Sequence, residues 1–544
     1  MTIKIDPQVI AARGRGMREG GFWLDRTVDS YLAQHIERDP AKAAVVAVRA
    51  DGHPTRRLTY AELGKMVDRA AANLRRMGVG VGDVVAIQLP NWWEFVVVSL
   101  ACVRIGAAAN PMVHILRERE VRYMVEFAGS KVFIVPSVFR GFDYAGMARS
   151  IQAAVPTLER VIVVGEDGPD GFEQALLSGS DEVPYDAASP ALAPDDLLVL
   201  MYTSGTTGEP KGVLHTSNTV NGNSLRFAQG LGLDGNDVFF AATPVGHMTG
   251  YAIFVLLPVM LGATLVLQDV HEPHRGVRIM DEEGVTFSAG ATPFLADLVD
   301  CSLSDGIRPR RLRRFYCAGA PIPPVLVQRA WNELKLTVSS VWGMTEVIAG
   351  TMTEPEQAER AWTTDGRALP GIEVKVVDES GAERPRGEAG RLMVRGASLF
   401  CGYLKRPEYY KVDAAGWFDT GDLARMDSDG YVRITGRTKE LLIRGGENVP
   451  VIEIENVLLQ HPAIAAIAIV GMPDARLGER GCAFVVPRAG HRVDLASMQA
   501  YLLEMKVAKP FWPERVECVD DLPRTASGKI QRFVLKQTAA AFAT

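Results

Sequence analysis

Cysteine is scarce. The 544 residues carry six, Cys102, Cys301, Cys317, Cys401, Cys482 and Cys518, far apart and with no Cys-x-x-Cys pair. That excludes a disulfide-stapled scaffold and a thiolate zinc site, and leaves reduced core thiols. Long apolar runs are also missing. The longest, Tyr251 to Leu267, contains Pro258 and Gly262 and barely reaches the roughly 17–25 residues that a membrane span needs; it reads as a buried helix turning into a strand. Neither sign of charge dominates: 59 basic against 65 acidic side chains leave −6, so no chain-wide field attracts nucleic acid. No internal repeat or low-complexity tract is present, which removes solenoid architectures. The first residues lack the charged-then-apolar order of a signal peptide, and Ala541–Thr544 is no peroxisomal address, so the cytoplasm is the expected compartment.

What is present suits an α/β enzyme. Apolar residues make up 47% and charged residues 23% of the chain, in ordinary globular proportion, and the length calls for more than one domain. Thr59-x-x-Glu62 is a capping box, followed by Leu63, Val67, Leu74 and Met77 at helical spacing up to Gly78. Val84–Leu89, Val132–Val135, Val161–Val164 and Leu197–Tyr202 read as buried strands, with a helix over Trp92–Ile105. Such alternation predicts a large N-terminal domain of mixed, mainly parallel sheets covered by helices. Residues 165–195 read as a surface connection. From Trp417 the texture becomes turn-rich, and a fresh α+β pattern runs to the end. The expected division is 1–436, a hinge at 437–439, and a small mobile α+β domain over 440–544.

The strongest local signal is Tyr202-Thr-Ser-Gly-Thr-Thr-Gly-Glu-Pro-Lys-Gly212. Glycines let backbone N–H groups turn toward an anion, the hydroxyls of Thr203, Ser204, Thr206 and Thr207 add donors, and Lys211 adds a point charge. This is a phosphate cradle, and it lacks the Gly-Lys-Ser/Thr of a Walker loop.

The stretch resembles the phosphate loop of the adenylate-forming superfamily, which includes acyl- and aryl-CoA synthetases, carrier-linked adenylation domains and luciferases. Further motifs of that superfamily follow in order: Ala318–Pro321, Val341–Glu346, Trp417–Leu423, Gly436–Asn448 and Leu522–Arg532. The resemblance covers essentially the whole chain. It implies a small β-barrel-like subdomain within the large domain, and it implies roles for single residues. Lys529 would bridge the substrate carboxylate and the α-phosphate during adenylation. Thr203, Ser204, Gly205, Thr206, Thr207 and Lys211 would cradle phosphates, and Gly319, Ala320, Pro321, Trp342, Gly343, Met344 and Thr345 would flank the nucleotide. Asp422 would accept the ribose hydroxyls, with Arg437 reaching ribose or phosphate from the domain junction, whereas Asp419 reads as a turn residue. Glu346 with Thr207 would contact Mg²⁺, a hard cation that takes oxygen ligands.

The same resemblance makes His247 the gate between acyl pocket and nucleotide, with His247, Met248, Thr249, Ala318, Gly319, Val341 and Gly343 as pocket walls. None of these carries a carboxylate to anchor an ammonium group, so an apolar acid is expected. Lys439 would be the hinge, and after rotation Arg444, Gly445 and Gly446 would meet coenzyme A. Leu89–Glu94, Phe139–Asp143, Cys317–Pro323 and Ile443–Asn448 look most similar to cyclohexanecarboxylate-CoA ligases, with medium-chain and aryl acids and carrier-protein loading as alternatives. The partners implied are a small carboxylic acid, ATP, Mg²⁺ and coenzyme A, on a monomer or homodimer without nucleic acid. Three features mislead. His271-Glu-Pro-His274 has the wrong spacing for zinc, Gly78–Gly82 precedes its strand where a dinucleotide loop would follow one, and the basic run Arg308–Arg314 reads as a solvated edge, with contact to coenzyme A phosphates as the alternative.

Overall fold

The computed structural model describes residues 3–542 apart from 180, 204–209, 319–321, 358, 438–441, 445–446, 450, 475, 506 and 526–527. The capping box forms as read: Thr59 and Glu62 exchange hydrogen bonds at the start of helix Tyr60–Arg76. Helix Trp93–Ile105 is buried at all of its positions, because it lies between two sheets and touches strand Ala43–Val48 of one and Ala108–Pro111 of the other. Its two charges are paired: Glu94 with Arg49, and Arg104 with both carboxylate oxygens of Asp29 at 2.6 and 2.7 Å.

The first sheet orders its strands Lys211–Thr216, Leu197–Thr203, Ala108–Pro111, Val84–Ile87, Val132–Pro136 and Arg160–Val164, parallel except for the first pair. The second has nine strands. Its parallel run places Thr337–Trp342 beside Arg314–Ala318, then Phe287–Gly290, Val238–Ala241, Thr264–Gln268 and Ala43–Val48. The run Tyr251–Leu267 is, as expected, buried helix then strand, but its first part, Gly250–Leu256, is wound as a π-helix. Residues 165–195 are more than a surface connection. Phe172, Ala175 and Leu176 pack into the core, and the Val183 carbonyl accepts from Arg104 at 2.9 Å.

The small subdomain is a four-stranded antiparallel meander, Ile372–Val377, Gly390–Gly396, Phe418–Met426 and Val432–Arg437. The residues beyond it form an α+β unit with its own apolar core around Leu442, Ile467, Val485 and Leu502. In that unit Glu455 binds Arg532 at 2.6 Å and the Ile469 N–H at 2.6 Å, which fixes the start of helix Arg532–Ala540. Among the described residues no helix is long and apolar enough to cross a membrane.

Candidate active site

In parallel sheets, loops that leave the carboxyl ends of neighbouring strands converge on one crevice, where ligands bind. Here four such strands, Val238–Ala241, Phe287–Gly290, Arg314–Ala318 and Thr337–Trp342, lie side by side, with Gly290 opposite Cys317 and Ala318 opposite Val341. They release the His247 loop, segment 291–294 and loop 343–350 at the same edge. His247, Thr249, Ala318, Gly343, Met344 and Thr345 are each partly open, while Met248 and Val341 lie buried beneath.

The His247 loop is pinned by Asn91. Its amide nitrogen donates to the carbonyls of Ala241, Thr243 and Gln268 at 3.0–3.2 Å, and its oxygen accepts from the Val245 N–H at 3.0 Å. The loop then closes so tightly that a Cβ on Gly250 would stand 2.1 Å from the Pro244 oxygen. Burial holds the imidazole of His247 far below its usual range, at about 4, and the positive charge of Lys529 pushes the same way.

Lys529, carried by the small C-terminal unit, stands near enough for its charge to act on His247. Its turn is closed by Thr525 N–H to the Lys529 carbonyl at 2.7 Å and by Lys529 N–H to the Thr525 hydroxyl at 3.1 Å. Gly528 takes φ +82°, and its α-carbon faces Ala291, Pro293 and Phe294. A side chain at 528 would meet both the left-handed backbone and that surface.

Lys211 and Glu346 both lie against Tyr403. Lys211 lies opposite Thr203 in the hairpin that carries the phosphate loop, with its ammonium 4.2 Å from the Tyr409 ring centre and 5.2 Å from that of Tyr403. The Tyr403 hydroxyl donates to Glu346 at 2.7 Å. Burial pushes the Glu346 carboxyl up, opposed by that hydrogen bond and by the charges of Arg437 and Lys211.

The carboxylate fork of Asp422 is engaged by protein in this arrangement. One oxygen accepts from the Trp342 indole N–H at 2.8 Å and the other from Arg437 Nε at 2.8 Å. Trp342 is buried, with Gly350 against its ring. Asp419 serves its turn, accepting from the Gly421 N–H at 3.0 Å and pairing with Arg391.

Arg444 is not part of this assembly. It sits in the C-terminal sheet and binds Glu514 at 3.0 and 2.5 Å. Ser204, Gly205, Thr206, Thr207, Gly319, Ala320, Pro321, Lys439, Gly445 and Gly446 lie outside the described residues. His271 and His274 bind Asp297 and Asp305 separately, each at 2.8 Å. In the basic run, Arg310 pairs with Asp281 and Arg313 with Asp237. The residues that sequence reasoning missed are Asn91, His215, Asn223 and Tyr403. The first three act on backbone groups and Tyr403 on the Glu346 carboxylate, at separations of 57 to 177 positions, and no spacing rule announces such contacts. Only Asn91, inside the quoted Leu89–Glu94 motif, and His215, just beyond the phosphate loop, stood next to a signal.

Burial opposes protonation of His247 most and the charge of Lys529 adds to it, so its titration reports the docked Lys529. In the NMR spectrum the His247 ring protons are expected to hold constant shifts from pH 8 to about 5.5, and to titrate higher, though still below 6.5, in Lys529→Ala. An unchanged titration in that variant would place Lys529 elsewhere in solution.

The AMP-binding enzyme family matches residues 32–404, and the AMP-binding enzyme C-terminal domain matches 453–529. A medium-chain fatty-acid–CoA ligase of Escherichia coli is 35% identical over 96% of this chain and 92% of its own. A Streptomyces salicylyl-CoA synthase/salicylate adenylyltransferase is 34% identical over 95% of each chain. The crystal structure of ATP-bound MatB from Rhodopseudomonas palustris superposes with a TM-score of 0.83 at 29% identity, over 95% of this chain and 100% of that one. The chain belongs to the AMP-binding enzyme family, and it is an adenylate-forming enzyme of the acyl-CoA synthetase class.

Proposed function

We propose that the enzyme joins an apolar carboxylic acid, cyclohexanecarboxylate in the first instance, to coenzyme A through an acyl-adenylate, releasing pyrophosphate and AMP. A carboxylate is a poor electrophile at neutral pH. Attack of one of its oxygens on the α-phosphate of ATP forms the acyl–phosphate bond and expels pyrophosphate; attack of the coenzyme A thiolate on the acyl carbon then expels AMP. Both reactants of the first step are anions, so fixed cations and alignment lower its barrier.

The observation that supports this reading best is the approach of Gly528, next to Lys529, to Ala291, Pro293 and Phe294 at the strand ends, with the Lys529 charge felt by His247, where the acid and the α-phosphate would meet. Lys211 and the 203–207 loop would hold the phosphates, Asp422 and Arg437 the ribose, and Trp342 with 343–345 the base and its surroundings. Glu346 and Thr207 would hold Mg²⁺, whose charge would offset that of the phosphates; a buried carboxylate flanked by a lysine and an arginine is a fitting oxygen donor. The Arg444–Glu514 pair leaves Arg444 waiting outside, as a coenzyme A contact reached only after the C-terminal unit turns about Lys439 would be. The recess walls, a neutral imidazole with Met248, Thr249, Ala318, Val341 and Gly343, favour an apolar acyl group.

The relatives' names favour a second reading, a medium-chain or aryl acid, since apolar groups exchange in such a pocket at a cost of only about 1–3 kcal/mol per methylene. Mass spectrometry of products from ATP, Mg²⁺ and a panel of acids, with and without coenzyme A, tests both. Acyl-CoA and AMP from cyclohexanecarboxylate support the first reading, and a preference for octanoate or benzoate supports the second. Acyl-AMP that never passes to coenzyme A would overturn the ligase step in favour of a carrier-protein acceptor.

A further inference from the structure

Loop 343–350, which carries Thr345 and Glu346, is held in a conformation its own sequence does not favour. Ile348, β-branched and buried, sits at φ +70°, where its side chain crowds its own backbone. A Cβ on Gly343 would stand 2.0 Å from the Ile348 oxygen. Such strain persists only where surrounding contacts over-determine it, and it gathers at functional sites.

The contacts come from two buried polar side chains on neighbouring elements. His215, in strand Lys211–Thr216 and on the face that also bears Lys211, places Nε2 2.7 Å from the Thr345 carbonyl and Nδ1 3.0 Å from the Thr219 hydroxyl. A carbonyl offers no proton, so Nε2 carries the hydrogen and donates. Burial keeps the ring neutral, which leaves Nδ1 to accept from Thr219, and Thr219 is itself fixed by the capping box that opens helix Ser217–Leu231. One and a half turns into that helix, Asn223 donates to the Ala349 carbonyl at 2.8 Å and accepts the Ala349 N–H at 3.3 Å, holding both backbone polar groups of that residue. Neither side chain reaches the crevice; both end on loop backbone. Burying an imidazole and an amide there costs free energy that an apolar core would not incur.

We infer that His215 and Asn223 are positioning residues for adenylation: they brace the Thr345 carbonyl and the Ala349 N–H and carbonyl so that the strained loop presents Thr345 and Glu346 to the nucleotide. The inference rests on the reading of those two residues as nucleotide and metal contacts. Displacements of about 1 Å at a reacting centre can cost roughly 10²-fold in rate, so removal of a brace should be felt in the half-reaction that uses the loop and spared in the one that does not.

The test compares His215→Leu, His215→Gln and Asn223→Ser in acid-dependent ATP–pyrophosphate exchange and in thioester formation from preformed acyl-adenylate, with thermal midpoints alongside. His215→Leu and Asn223→Ser are expected to lower kcat of exchange ~10- to 100-fold, the range for displacing the loop by up to about 1 Å, with KM for the acid nearly unchanged and thioester formation nearly unaffected. His215→Gln, whose amide can donate to Thr345, is expected to recover most of the loss. Exchange close to wild type in folded His215→Leu, or equal losses in both half-reactions, would overturn the inference. Should His215→Leu fail to fold, Asn223→Ser carries the same expectations alone. Glu346→Gln separates the two levels: if it leaves exchange intact, the site reading fails, whereas a dead Glu346→Gln beside a fully active His215→Leu sinks the brace alone.

Discussion

Lys529→Ala is expected to lower acid-dependent ATP–pyrophosphate exchange by at least ~10²-fold while leaving thioester formation from preformed acyl-adenylate near the wild-type rate. The magnitude follows from removing a preorganised cation from the place where negative charge accumulates, which costs roughly 10²–10³-fold in comparable sites. The asymmetry follows from the structure. Gly528 lies against Ala291, Pro293 and Phe294 and the charge of Lys529 reaches His247, while Arg444 is turned away onto Glu514. One arrangement of the C-terminal unit cannot serve both steps with both residues. Lys529→Arg is expected to rescue only in part, because a planar guanidinium on a longer stem does not reproduce a compact ammonium at a fixed point. Equal loss in both half-reactions would mean that Lys529 holds the domain rather than the reacting oxygens.

Much of this arrangement was legible before any coordinates. The order of helices and strands followed from periodicity at Thr59–Met77, Val84–Leu89 and Leu197–Tyr202, where apolar spacing and capping agree. The convergence of His247, Ala318 and Trp342 on one edge follows from parallel strands. Motif order supplied the roles proposed for Lys529, Asp422 and Glu346. Long-range polar pairing was not legible. Asp422 to Trp342 spans 80 positions and Tyr403 to Glu346 spans 57, and hydrogen bonds between side chains so far apart leave no local pattern. Residues 165–195 misled for a related reason: their Gly- and Asp-rich ends read as loop, while the buried Phe172 and Leu176 between them form too short a stretch for periodicity to register. The π-helix at Gly250–Leu256 likewise looks in sequence like any buried helix.

Replacing Asp422 should have the next largest effect, and the contacts of Asp422 say how it divides. The carboxylate is buried and already accepts from Trp342 and Arg437, but two oxygens offer about four acceptor positions, so ribose hydroxyls can be added without evicting the indole. Hydrogen bonds to a charged group contribute about 1.5–3 kcal/mol each, which is roughly 10- to 150-fold in affinity per hydroxyl. Asp422→Ala is therefore expected to raise KM for ATP by at least ~10²-fold and to lower the thermal midpoint, since it strands the Trp342 N–H in the core. Asp422→Asn separates the two consequences. Its amide oxygen can still accept from Trp342, so stability should hold near wild type, while the neutral group loses the pairing with Arg437 and the charge assistance to ribose, and KM for ATP stays high. Steady-state exchange kinetics with thermal unfolding of both variants measure this directly. If Asp422→Asn binds ATP as wild type does, Asp422 is a strut for Trp342 and Arg437, and the ribose must be held by other groups in the crevice.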